Sequence, residues 1–198
     1  MKDNHGLTLM ELLVTLSLLA VISVVGISFF FIPNKAYDRI VVRNNLEDDV
    51  NSVLRRIADD IHSAIKPDYH TNAVEIYNSQ GNISTSGNMM YIYGYYNKKY
   101  QKISYKYENG ALYMGTIERD DAESIIKANV NANEYSEILR GVIGPDEAGD
   151  LFQDITVDPL KNDQRTISVN IIARDAEKNI VTSREKPLIL TTRTKNSP

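Results

Sequence analysis

A single carboxylate inside an apolar run is the feature of this chain that most clearly calls for a chemical role. Glu11 lies five positions after Gly6, and it is the one charged residue within residues 7–32. A charged side chain is unfavourable in the hydrocarbon of a membrane, and where it occurs it usually pairs with another group or marks a functional site. We therefore expect Glu11 to have a specific role in the function of the protein.

The apolar run itself predicts a membrane-spanning helix. Every residue in the range 12–32 is apolar or small. At about 1.5 Å per residue such a helix spans roughly 30 Å, which is the thickness of a bilayer core. The run is longer than the apolar core of a secretory signal peptide, which has about 7 to 15 residues. A plain single-pass anchor would show the same run, with Glu11 near the helix start, where the helix dipole favours a negative charge.

The glycine, the spacing and the run together resemble the N-terminus of type IV prepilins and pseudopilins, the class III signal peptide. The residues that carry the resemblance are GLTLME at positions 6–11 and the apolar segment after them. In that family a membrane peptidase cuts after the glycine and methylates the new N-terminal residue, and the glutamate pairs with the N-terminal amine of a neighbouring subunit. The resemblance implies that residues 1–6 are a leader, that cleavage separates Gly6 from Leu7, that Leu7 is N-methylated and that Glu11 serves subunit assembly.

The resemblance also implies partners and a location. The partners are prepilin peptidase, other pilin or pseudopilin subunits that contact the N-terminal helix, and the cytoplasmic membrane. Lys2 precedes the apolar run while Lys35, Arg39 and Arg43 follow it, so the positions of the basic residues do not place the N-terminus inside the cell. The resemblance alone puts the C-terminal domain outside, first at the cytoplasmic membrane and then in a pilus or pseudopilus at the cell surface.

Two prolines divide the helical part of the sequence. Pro33 is predicted to kink or interrupt the helix, because it lacks an N–H and its ring clashes with the preceding turn. Apolar residues then recur at helical spacing until Pro67, which is expected to end the helix. Asn44 and Asn45 break this apolar stripe, so contact with a core is expected to begin only after them.

After Pro67 the pattern changes to the alternation of apolar and polar residues that is typical of strands. Asn109-Gly110 lies between two alternating runs and is a strong hairpin signal. A short helix is expected over residues 122–128. The predicted strands cover residues 74–77, 90–95, 103–107, 112–117, 138–143, 151–157, 166–174 and 188–192, the last one after a turn at 175–179.

These elements predict an α+β, pilin-like fold, in which the second half of one long N-terminal helix packs on an antiparallel sheet. The expected division is a filament-core and membrane helix over 7–32, an amphipathic helix over 33–66 and an extracytoplasmic β-rich domain over 67–198. J-type pseudopilins and W-type minor pilins contain a strand, a turn and a leucine-led strand that resemble ISYKYENGALYMG in this sequence. That resemblance implies a minor structural subunit of a type IV pilus, or of a type II secretion or competence pseudopilus.

The sequence predicts neither an enzyme nor a cofactor or metal site. The chain has no cysteine, which excludes disulfides, thiolate metal sites and cysteine nucleophiles, and no motif orders a serine, a histidine and an aspartate into a triad. Its three histidines do not have zinc-ligand spacing, and His62 is expected to be solvated. Asp146, Glu147 and Asp150 could bind calcium through oxygen ligands, but their spacing is not that of an EF-hand, and an ordinary acidic loop is the simpler interpretation.

A contact with DNA is the remaining chemical hypothesis. Four lysines interleave with four tyrosines, namely Lys98, Lys99, Lys102 and Lys106 with Tyr95, Tyr96, Tyr100 and Tyr105. Tyrosines stack on bases, yet alternating tyrosines are also what a half-exposed sheet favours. The net charge of −4 offers no general basic excess for binding phosphates. A permanently anchored binding module, which is never cleaved, is the alternative to a filament subunit.

Overall fold

The computed structural model describes residues 8–68, 72–156, 164–174, 188–193 and 195–196. It confirms the α+β, pilin-like class, with a long apolar helix first and antiparallel strands after it. The chain forms two compact units, residues 1–44 and residues 45–198.

The first helix, α1, runs from Leu9 to His62 and contributes to both units. In the first unit the apolar side chains of Leu9–Ile27 are exposed; that of Leu9 is 83% exposed and that of Val25 is 51% exposed. This segment of 19 residues is long and apolar enough to cross a membrane. An apolar surface of this size on every side of a helix is unfavourable in water, so a membrane or other helices must cover it.

The helix α1 continues through Pro33, so of the two expected effects of this proline, a kink or an interruption, the structure shows no interruption. Proline removes one backbone N–H and therefore one helical hydrogen bond. Helices in membrane segments tolerate that loss, since neighbouring groups can satisfy the freed carbonyl. The kink at Pro33 stays a prediction.

The end of α1 also differs from the expected one. The helix ends at His62, four residues earlier than the sequence predicts, and Ala64 closes a tighter turn by donating its N–H to the carbonyl of Ile61 at 3.2 Å. The next residues form strand β1 (Ile65–Lys66), which pairs in parallel with strand β12 (Lys195–Asn196). The pairing of β1 with a strand near the end of the sequence therefore explains why α1 ends at His62, before it reaches Pro67.

In the second unit, α1 packs on the sheet as expected. Leu46 is partly buried and Val50 is the first buried residue, so core contact begins after Asn44 and Asn45. The buried side chains recur at intervals of three and four residues on one face of the helix. They are Val50, Val53, Leu54, Ile57 and Ile61.

The main sheet has six strands in the order β3-β2-β5-β6-β7-β8. Within the described residues all of its neighbouring strands are antiparallel. The Asn109–Gly110 hairpin between β6 and β7 is confirmed, with φ angles of 49° and 80°. The strand bounds are Val74–Tyr77 (β2), Ile83–Ser84 (β3), Met89–Tyr96 (β5), Lys99–Glu108 (β6), Ala111–Arg119 (β7) and Tyr135–Arg140 (β8).

A second sheet of four strands completes the described β structure, in the order β11-β10-β9-β4. Phe152 of β9 and Ile167 of β10 belong to the same core cluster as the buried face of α1. Two short helices, α2 (Ala122–Lys127) and α3 (Pro145–Ala148), connect strands. The strands of this sheet are Ser86–Gly87 (β4), Phe152–Asp154 (β9), Gln164–Val169 (β10) and Leu188–Arg193 (β11).

Both faces of the six-stranded sheet are covered at the middle of β5, so Tyr91 and Tyr93 are buried there rather than half-exposed. Met90 and Ile92 belong to the core cluster that includes α1, while Tyr91 and Tyr93 alternate with them and face a second cluster. Ile125 of α2 closes that second cluster from outside. Tyr93 is therefore 1% exposed and Tyr91 is 8% exposed.

Candidate functional site at the start of the first helix

Thr8 and Glu11 cap the start of α1 with reciprocal hydrogen bonds. The Oε2 atom of Glu11 accepts the backbone N–H of Thr8 at 2.9 Å and its hydroxyl at 3.0 Å. The Oγ1 atom of Thr8 accepts the backbone N–H of Glu11 at 3.3 Å. This is the capping-box arrangement, which satisfies N–H groups that have no partner inside the helix.

The other polar side chains of the apolar segment bond to their own helix. The hydroxyl of Thr15 donates to the carbonyl of Glu11 at 2.9 Å, that of Ser17 to Leu13 at 2.8 Å and that of Ser23 to Leu19 at 2.7 Å. Such bonds satisfy the hydroxyl donors without any partner outside the helix. The carboxylate of Glu11 is the one charged group of Leu9–Ile27, so it alone can still be neutralised by a cation from another molecule.

We expect Thr8→Ala to weaken the first turn of α1. The substitution removes a hydroxyl that accepts the backbone N–H of Glu11 and donates to the Glu11 carboxylate. Loss of a threonine cap costs about 1 kcal/mol of helix stability. The measurement is hydrogen exchange of the backbone amides of residues 9–12 in detergent micelles, which should become several times faster. Thr8→Ser keeps the hydroxyl and should exchange like the natural chain, and equal protection in Thr8→Ala would contradict the importance of the cap.

The structure does not place all of the residues singled out in the sequence. Gly6 and Leu7 lie outside the described residues, as do His5 and His70. His62 is exposed, as expected. In the described part of the chain no group of three or more histidines, aspartates or glutamates could hold a metal ion.

The lysines and tyrosines of the DNA hypothesis do not form one surface. Lys102 is 2% exposed and Tyr105 is fully buried, with its hydroxyl donating to Asp60 of α1 at 2.5 Å. Both are therefore removed from any exposed binding surface. Tyr96, Lys98 and Lys99 remain exposed at the hairpin between β5 and β6.

A buried polar network on the outer face of the sheet is a feature that the sequence analysis missed. The Nζ atom of Lys102 donates to the carbonyls of Ile126 and Ala128, at 3.0 and 2.7 Å, and so binds the C-terminal end of α2. It also lies 4.7 Å from the ring centre of Tyr91. Burial lowers the pKa of Lys102, although the nearby Glu75 carboxylate opposes that shift.

The carboxylate of Glu75 lies near this buried lysine and partly compensates its positive charge. Its Oε2 atom accepts the hydroxyls of Tyr77 and Tyr93, both at 3.0 Å, and the residue is 8% exposed. A buried charge is tolerated when it is hydrogen-bonded and faces an opposite charge. The network therefore fixes α2 on the sheet. Lys102, Tyr93 and Glu75 are buried and bonded to one another or to α2, so we interpret the network as a structural feature.

Comparison with known proteins adds one finding, which concerns the N-terminus. A family model described as a prokaryotic N-terminal methylation motif matches residues 1–27. No curated protein and no solved structure matches the chain at a significant level. The chain therefore carries the type IV prepilin-like N-terminal signal, followed by an apolar helix and an antiparallel β domain.

Proposed function

We propose that the chain is a minor structural subunit of a type IV pilus, or of a type II secretion or competence pseudopilus. In this proposal prepilin peptidase cuts between Gly6 and Leu7 and the new N-terminus is methylated. The apolar part of α1 then leaves the membrane and joins the core of the filament, with the β domain outside the cell. The observation that carries the proposal is that the methylation motif coincides with an apolar helix whose one charge is Glu11.

The hairpin of β6 and β7 supports the choice of a minor subunit. It covers the segment that resembles J-type pseudopilins and W-type minor pilins, and it forms a strand, a tight Asn-Gly turn and a second strand. Any antiparallel meander could contain such a hairpin, so the N-terminal motif remains the main support for the class.

The capping box favours a second candidate function. Since Thr8 already satisfies the Glu11 carboxylate, this glutamate could serve only the start of a permanent membrane anchor. The protein would then be an uncleaved, anchored binding module outside the cell.

The N-terminal sequence of the mature protein distinguishes the two candidates. We expect the full chain, produced together with an active prepilin peptidase, to begin at N-methylated Leu7, and Gly6→Leu to remain uncut. Gly26→Leu is a matched control, because a side chain at Gly26 meets nothing within 4 Å, and it should be cut normally. A natural chain that keeps residues 1–6 beside an active peptidase would favour the permanent anchor.

A further inference from the structure

The part of α1 that follows the apolar run carries exposed side chains of two kinds, apolar and basic. Tyr37 is 67% exposed and Ile40 is 58% exposed. Arg39 and Arg43 are exposed as well. These residues belong to the same compact unit as the membrane-spanning segment, and α1 is continuous between the two. Their position relative to a bilayer therefore follows from the rise of one helix.

That rise places these side chains at the level of the lipid headgroups. Arg39 lies seven residues beyond Ile32, the last residue of the apolar run, which is about 10 Å along the helix. The polar region on each side of the hydrocarbon core is about 5 to 8 Å thick. Helical side chains point back towards the N-terminus, so the long side chain of Arg39 reaches into that polar region. Tyr37 lies two residues closer, at a depth where tyrosines are enriched in membrane proteins.

The apolar and the basic side chains occupy different faces of the helix. Tyr37, Ile40 and Val41 have the spacing i, i+3, i+4 and share one face. Arg39 and Arg43 are four residues apart and share another. Faces of this kind place a helical segment at the membrane interface, with the apolar side chains at the acyl boundary and the basic ones at the headgroups. The apolar face is exposed in the described chain, and a membrane surface would cover it.

The charge of this segment is positive close to the membrane and becomes negative only farther away. Among residues 12–46 one residue, Asp38, is acidic and three are basic, namely Lys35, Arg39 and Arg43. Arg43 forms no ion pair with another described residue. The next acidic residues begin at Glu47, 15 residues beyond Ile32 and about 22 Å along the helix. That distance is more than twice the Debye length of about 8 Å at physiological salt, so an anionic bilayer attracts the arginines more than it repels Glu47.

We propose that residues 35–43 of α1 bind anionic phospholipids in the leaflet on the C-terminal side of the membrane span. The guanidinium groups of Arg39 and Arg43 bind the lipid phosphates, while Tyr37 and Ile40 contact the upper acyl carbons. This contact fixes the depth of α1 in the membrane. It also gives a partner to the basic residues after the apolar run, whose position the usual topology rule does not explain. The proposal goes beyond assembly into a filament and holds equally for a permanent anchor.

The test measures which lipids associate with the full, uncut chain in nanodiscs of phosphatidylcholine that hold one chain each. A spin-labelled lipid in contact with the protein moves more slowly, and the slow fraction gives its association constant. We expect labelled phosphatidylglycerol to associate about five times more strongly than labelled phosphatidylcholine. Arg39→Gln and Arg43→Gln should each roughly halve this ratio. The double variant should bring the ratio close to one, because the charges of Lys35 and Asp38 then cancel.

Matched variants separate lipid binding from a general effect of charge or folding. Arg55 is an exposed arginine of the same helix, about 34 Å beyond Ile32, so Arg55→Gln should leave the ratio unchanged. Arg43→Lys keeps the charge and should retain the preference for phosphatidylglycerol. Because each disc holds a single chain, a contact of these arginines with another subunit cannot produce that preference.

Two results would overturn the proposal. One is a ratio close to one for the natural chain, which would leave the arginines to a partner other than lipid. The other is a reduction by Arg55→Gln as large as that by Arg43→Gln, because the overall charge of the chain would then explain the preference. Neither result depends on cleavage at Gly6, so the proposal can fail while the proposed filament function stands.

Discussion

Glu11→Ala leaves the chain in the membrane and removes it from the filament: this is the largest functional effect that we expect from a single substitution. Alanine is more compatible with hydrocarbon than glutamate, so membrane insertion should be unchanged or improved. In the proposed filament, the Glu11 carboxylate meets the N-terminal amine of a neighbouring subunit. Opposite charges attract strongly where water is excluded, and loss of the pair should reduce incorporation by a factor of about ten or more.

The measurement compares sheared filaments with washed membranes in cells that contain the other subunits. We expect the amount of Glu11→Ala protein to be normal in membranes and strongly reduced in filaments. Normal incorporation of this variant would contradict the assembly role of Glu11.

Two further variants separate the charge of Glu11 from its role in the capping box. Glu11→Gln keeps an oxygen that can accept the N–H of Thr8, so the cap is retained while the charge is lost. Thr8→Ala does the reverse. If charge pairing drives assembly, Glu11→Gln should behave like Glu11→Ala, and Thr8→Ala should still assemble. The opposite result would assign Glu11 to the helix cap and favour the permanent anchor.

The sequence alone predicted the structure correctly where a short segment determines its own conformation. Asn109-Gly110 forms the expected turn because asparagine and glycine adopt left-handed φ angles most readily. Glu11 stands out in the sequence because it is the one charged residue within the apolar range 7–32. Thr8 was missed, although Thr8-Leu9-Met10-Glu11 is the S/T-x-x-E pattern of a capping box and could have been recognised.

Contacts between distant segments explain what the sequence did not predict. Alternation in β5 predicts two faces, but it cannot show that a later segment covers the second one. The chain after β7 comes so close to the sheet that a side-chain carbon at Gly115 would lie 2.6 Å from Val130. This close cover buries Tyr93 and Lys102, whose types suggested an exposed surface. The end of α1 at His62 has the same kind of cause, since β1 pairs with β12.

The buried tyrosines lead to the second large effect, which is a steep loss of stability in alkaline solution. Burial raises the pKa of Tyr93, and the Glu75 carboxylate that accepts its hydroxyl raises it further. Burial likewise raises the pKa of Tyr105, together with Asp60. In the unfolded chain both phenols titrate near pH 10. Above that pH the unfolded state loses protons that the folded state retains, so folding becomes less favourable as pH rises.

The size of this effect follows from the number of protons. Each buried tyrosine lowers the free energy of unfolding by up to about 1.4 kcal/mol per pH unit above about pH 10. The two together lower it by up to about 3 kcal/mol per pH unit. Lys102 acts in the opposite direction. Its pKa is lowered in the folded state, so it adds stability as pH rises towards the pKa of an unfolded lysine, near 10.4, and adds no more above it.

We therefore expect the free energy of unfolding, measured with urea, to rise with pH where Lys102 contributes and to fall steeply once the pH exceeds about 10. Absorbance of the ionised phenol should show that Tyr93 and Tyr105 ionise only as the domain unfolds. Tyr93→Phe and Tyr105→Phe each remove one titrating group, so each should flatten the fall above pH 10. If all tyrosines ionised together near pH 10 while the domain stayed folded, the phenols of Tyr93 and Tyr105 would be accessible to water, contrary to the structure.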